Sequence, residues 1–208
     1  NVDGRLIFRT NLDAPRGRLV EVDSANPARE NWKELVPESE AVMRGASLVG
    51  NSLVAVYLKD AYSQVQQFAL DGAPMRKVEL PGIGSVSGFG GKAEHNDSFY
   101  SYSSFTSPPT IYRYSTDTGE STVFKAAEVD FDPADYEVKQ VFYSSKDGTQ
   151  VPMFVAHRSG LQLDGDMPTL LYGYGGFNVA VTPRFSISRL ALMEMGGVFA
   201  LAYIRGGG

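Results

Sequence analysis

The chain has 208 residues with no cysteine, and 24 acidic against 19 basic side chains leave a net charge of −5. Disulfide scaffolds, zinc-thiolate sites and thiol nucleophiles are thereby excluded, and a nucleic-acid partner is not expected, because tracking phosphates requires clustered Lys and Arg. The longest apolar run, residues 198–204, falls far short of the roughly 20 residues of a membrane-spanning helix, so no membrane contact is expected either.

The opening residues, Asn1-Val-Asp-Gly4, carry no basic segment followed by an apolar stretch, and a strand pattern is under way by residue 6. No signal peptide is read there. This start and the closing Arg205-Gly-Gly-Gly208 are both expected to be cuts within a longer protein.

From there short β-rich runs alternate with turn clusters, and the runs return as a block. Matching strands at 19–22, 65–68 and 111–114 are separated by two steps of 46 residues. Each is preceded by another run, at 6–10, 53–58 and 99–105, and followed through a turn by a third, at 32–37, 76–81 and 121–125. Several strands and no helix in a period of about 40–50 residues are the pattern of β-propeller blades. A β-sandwich also gives evenly spaced strands, but it does not require strand, turn and strand to recur together.

The repeat breaks at Asp130-Phe-Asp-Pro133. A hairpin is predicted at 138–143 and 151–157 around the turn Lys146-Asp-Gly-Thr149, then a short strand at 168–172 apolar enough to be buried on both faces. A helix over 186–195, stopped by Gly196-Gly197, and an apolar strand at 198–204 complete a βαβ unit, which requires a parallel strand pair. Two domains are therefore expected, residues 1–132 as propeller blades and 133–208 as part of an α/β layer.

Between strand and helix lies Tyr172-Gly-Tyr-Gly-Gly-Phe177. Ligands of open α/β sheets bind at the carboxyl ends of the strands, which is where this loop falls. Its glycines permit a sharp turn that holds the phenol of Tyr174 and the ring of Phe177 outward. Taken with Thr182-Pro183, Ser188-Arg-Leu190, Met195-Gly-Gly-Val198 and Ile204-Arg-Gly-Gly-Gly208, the loop resembles that of the prolyl oligopeptidase family, most closely over residues 137–208.

The resemblance implies C-terminal propeller blades followed by the N-terminal part of an α/β-hydrolase domain. It also implies a cytoplasmic serine endopeptidase that cleaves short proline-containing peptides on the carboxyl side of proline. Tyr174 would correspond to an oxyanion-hole donor and Phe177 to a substrate-binding aromatic. No Gly-x-Ser-x-Gly elbow occurs in the chain, so the Ser/Asp/His triad is expected beyond it and the fragment alone is expected to be inactive. An oligopeptidase specific for basic residues and a non-catalytic propeller binding module are the alternatives.

Other features carry less. His95 and His157 read as surface or strand-end residues, and Ser85, Ser87, Ser186 and Ser188 as structural. Gly88-Phe-Gly-Gly-Lys-Ala93 reads as a loop between blades, since no βαβ unit surrounds it. Asp130, Asp132 and Asp135 lack calcium-loop spacing, and neither metal nor cofactor is expected.

Overall fold

The computed structural model describes residues 4–207, so the reading of residues 1–3 and of Gly208 lies outside the described residues. The first three sheets are antiparallel meanders whose strands pair in chain order. They comprise β1 (Arg5–Thr10), β2 (Arg18–Asp23) and β3 (Lys33–Val36); β4 (Val42–Val49), β5 (Ser52–Lys59), β6 (Tyr62–Ala69) and β7 (Pro74–Lys77); and β8 (Ser85–Gly90), β9 (Asp97–Ser103), β10 (Thr110–Ser115) and β11 (Ser121–Lys125). The repeat seen in the sequence is the recurrence of β2, β6 and β10.

Strand alternation explains how these sheets stack. Along β5, Leu53, Ala55 and Tyr57 face one way and pack with Leu19 and Val36 of the first sheet and with Met43 of the adjoining β4. Val54 and Val56 face the other way and pack with Phe89, Tyr100 and Tyr114 of the third. The middle sheet is thus buried on both faces, as a propeller blade is between its neighbours.

A buried amide reinforces the second contact. Gln67 Nε2 donates to Thr116 O at 2.8 Å and Ser52 Oγ at 3.0 Å, while its Oε1 accepts from Tyr114 Oη at 2.6 Å. All of the chemically available directions but one are used, so the group is buried without an unpaired donor.

Two strands escape the sequence pattern. β4 and β8 begin their sheets and lie against each other, and both are interrupted by small residues, Gly45 and Ser47 in one, Gly88 and Gly90 in the other. Residues 88–90, read as an inter-blade loop, belong to β8. Gly88 stands at a bulge with φ +116°, where a Cβ would lie 2.7 Å from the Phe99 carbonyl oxygen. The bulge turns Phe89 into the core, stacked on Tyr100 at 4.5 Å.

The fourth sheet has the order β12 (Tyr136–Ser144), β13 (Gln150–Arg158), β15 (Val198–Ala202), β14 (Thr169–Gly173). Its β14 and β15 pair in parallel and the other neighbours are antiparallel. Helix α1 (Ile187–Glu194) makes the crossover, and Gly196, at φ +82°, ends it. Among the described residues β14 pairs with β15 and is exposed along its length, while α1 lies over β13 and β15.

The third and fourth sheets share a core. Phe105, from the loop after β9, is buried between Phe154 and Phe199, each ring centroid 5.7 Å away. The linker that joins the two sheets is shaped by Asp132, whose carboxylate accepts from Ala134 N at 2.9 Å and caps a short 3₁₀ turn, Pro133–Asp135.

Candidate functional site

Because β14 and β15 are parallel, with Gly173 opposite Ala202, the loops that follow them leave the same end of the sheet. The two loops nest backbone to backbone. A Cβ on Gly175 would lie 2.1 Å from the Arg205 carbonyl oxygen, and one on Gly206 would lie 2.3 Å from the Gly175 oxygen. Glycine at both positions is what lets the two chains approach this closely.

Arg205 then fastens the pair to the β12–β13 turn. Its Nη2 lies 2.6 and 2.5 Å from the two carboxylate oxygens of Asp147. The Arg205 hydrogen bond, assisted by those from Thr149, holds the Asp147 carboxyl down at about 2. Sequence reasoning had not singled out this ion pair, although the Asp-Gly turn and the Arg-Gly-Gly-Gly run were both visible.

Tyr174 and Phe177 occupy the loop after β14, as the sequence placed them. Tyr174 is 38% exposed, with its ring folded over Gly176, and its hydroxyl has no hydrogen-bond partner among the described residues. Phe177 sits in a 3₁₀ turn, Gly176–Asn178, with left-handed angles of φ 54° and ψ 32° and 95% exposure. Left-handed angles are uncommon for a bulky residue, and backbone strain of this kind recurs at ligand sites. The opposite side of the Arg205–Gly207 segment borders a cleft of about 880 Å³, reached by Lys59 and Asp60 of the β5–β6 turn and by Arg16 and Glu40.

The remaining polar candidates lie elsewhere. His157 ends β13, opposite Glu137, beyond the Ala156–Phe199 pair and so at the far end of the sheet from Gly173. It is buried rather than at the surface, with Nδ1 2.9 Å from Arg158 O and Nε2 4.0 Å from the Glu137 carboxylate. His95 lies in the β8–β9 loop, and the Ser186 and Ser188 hydroxyls pair with each other at 2.9 Å. Among the described residues no three His, Asp or Glu side chains converge as metal ligands, and no helix is long and apolar enough to cross a membrane.

Face-stacked three- and four-stranded meanders that share a core with a further, mixed sheet define a β-propeller protein with a glycine-rich loop presented beside its blades. A sequence model of the prolyl oligopeptidase N-terminal beta-propeller domain matches residues 1–127, and the chain belongs to the prolyl oligopeptidase family. It is 42% identical over 209 residues to a prolyl endopeptidase of Elizabethkingia meningoseptica, covering 100% of this chain and 30% of that protein. Among solved structures, one from a study of two prolyl endopeptidases and their inter-domain dynamics superposes with a TM-score of 0.93 at 48% identity, covering 100% of this chain and 31% of the other. Prolyl oligopeptidase B of Galerina marginata, bound to a 35mer hydrolysis and macrocyclization substrate, gives 0.90 at 29% identity, with 100% and 30% covered. The chain therefore spans about 30% of the length of the relatives it matches.

Proposed function

We propose that this chain is part of a serine-type endopeptidase that cleaves short peptides on the carboxyl side of proline. Residues 1–132 are read as C-terminal propeller blades and residues 133–208 as the opening of an α/β-hydrolase catalytic domain. The end of the propeller match at residue 127, the linker before β12 and the parallel β14–α1–β15 unit support that division. The cytoplasm is the proposed location, in keeping with the absence of cysteine.

The observation that carries the reading is the phenol of Tyr174 at the carboxyl end of β14, without a hydrogen-bond partner among the described residues. When a serine attacks a peptide carbonyl, negative charge gathers on the carbonyl oxygen. A phenolic O–H already held in place, alongside a backbone N–H, donates more strongly as that charge grows and so lowers the barrier. Phe177 supplies an exposed apolar face against which a proline ring can pack. The 208 residues contain no serine elbow, so this chain alone is expected to give no turnover.

Tyr174→Phe in the full-length protein tests this. The expected outcome is a kcat about 10²-fold to 10³-fold lower on a Gly-Pro reporter with KM little changed. An undiminished kcat would refute the oxyanion role, and faster cleavage of an Arg-Arg reporter by the unmodified protein would refute the proline specificity.

A further inference from the structure

Phe177 needs an explanation for how its ring keeps one position while standing clear of the protein. The limb of the loop leading into it is fixed by β14 and by the contact between Gly175 and Arg205. The limb leaving it, residues 179–186, has no regular structure before α1. Between Ala180 and Ser186, one backbone N–H finds a hydrogen-bond acceptor among the described residues. It is that of Phe185, which donates to Ser103 Oγ at 3.2 Å. The Phe185 ring stacks on Phe131 at 5.6 Å, with 3° between the planes.

Ser103 is well built for this. Its own O–H donates to Ser107 O at 3.1 Å, which leaves the oxygen's lone pairs turned to accept. The turn from Ser103 to Ser107 is further closed by Ser104, whose backbone N–H donates to Ser107 O at 3.1 Å and whose Oγ accepts from Ser107 N at 3.0 Å. Phe105 at its tip is anchored in the shared core. The loop after β9 thus contacts the far end of the segment that bears Phe177, while Val179 and Ala180 lie against Gly207 and Val181 packs on the shared core.

We infer that Ser103 is a positioning residue for Phe177: through the Phe185 amide, a blade loop fixes the aromatic against which substrate packs. This rests on the substrate-packing role proposed above for Phe177. A recess of about 250 Å³ beside the contact, bordered by Ser85, Ser101 and Arg184, lets solvent reach the Phe185 amide if the hydroxyl is removed. Loss of the hydroxyl then loosens the loop while leaving the fold intact.

The experiment is steady-state kinetics of the full-length protein on a Gly-Pro reporter, with Ser103→Ala, Ser103→Thr, Phe177→Ala and the Ser103→Ala/Phe177→Ala pair. Ser103→Ala is expected to raise KM about threefold to tenfold. Its kcat should stay within about twofold and its Tm within about 3 °C of the unmodified protein. Ser103→Thr, which keeps a hydroxyl, restores KM, and in the Phe177→Ala background Ser103→Ala adds nothing, because the group it positions is gone. Additive effects of the two substitutions, or a fall in kcat without a change in KM, would overturn the inference while leaving Phe177's role standing. An unchanged KM for Phe177→Ala would refute that role itself, and the inference with it.

Discussion

The bridge through Gln67 gives the sharpest test of how the second and third sheets hold together. Gln67→Leu keeps the side chain's bulk but removes both of its polar atoms. The Tyr114 hydroxyl then loses its acceptor and Thr116 O loses its donor, while Ser52 Oγ keeps its bond to Val49 O at 2.8 Å. Each buried polar atom left unpaired costs about 1–3 kcal/mol, so two of them cost about 2–6 kcal/mol. Tyr114→Phe alone strands only the Gln67 carbonyl, at about 1–3 kcal/mol. The pair together removes both ends of that bond and leaves Thr116 O as the one orphan, so the double variant should again cost about 1–3 kcal/mol, well below the sum of the singles. Native-state hydrogen exchange of the β6 and β10 amides in the full-length protein measures these openings directly, with β13 as an internal reference. Additive losses, or equal losses in β13, would show that the amide does not join the two sheets.

The legible part of the fold is the block of strands that recurs at a fixed spacing. β2, β6 and β10 alternate apolar and polar residues and have apolar neighbours at fixed spacing, so their recurrence survives in the sequence without any shared residue identities. β4 and β8 were not legible, because small residues and a bulge at Gly88 replace the alternation where inner strands crowd together. Tyr174 and Phe177 were singled out through a motif, whereas Phe105 and Ser103 were not. What matters about those two is a contact with residues 49 to 94 positions away, and a lone Phe between Ser104 and Thr106 carries no trace of it.

Two further predictions concern the nested loops. Asp147 has its carboxyl lowered from 3.8 to about 2 by Arg205 and Thr149, so its contribution to loop order is complete above about pH 4 and is lost as pH falls through about 2. A carbon-detected NMR titration should place the Asp147 midpoint near 2 and move it upward in Arg205→Gln; a midpoint already near 4 would refute the pairing. Gly175→Ala probes the close approach itself. Gly175 has φ −155° and ψ 14°, outside the main allowed regions for alanine, so backbone strain adds to the penalty of the new methyl, placed 2.1 Å from Arg205 O and 3.0 Å from Ile204 O. The two backbones must part by more than about 1 Å to reach ordinary contact, a displacement that costs about 10²-fold when it misplaces a reacting group. Gly173→Ala is the control, since its methyl would meet Ala202 O at an ordinary 3.5 Å. In the full-length protein kcat/KM should therefore drop steeply for Gly175→Ala and little for Gly173→Ala, and equal losses at the two glycines would mean that the nesting of the loops does not set the position of Tyr174.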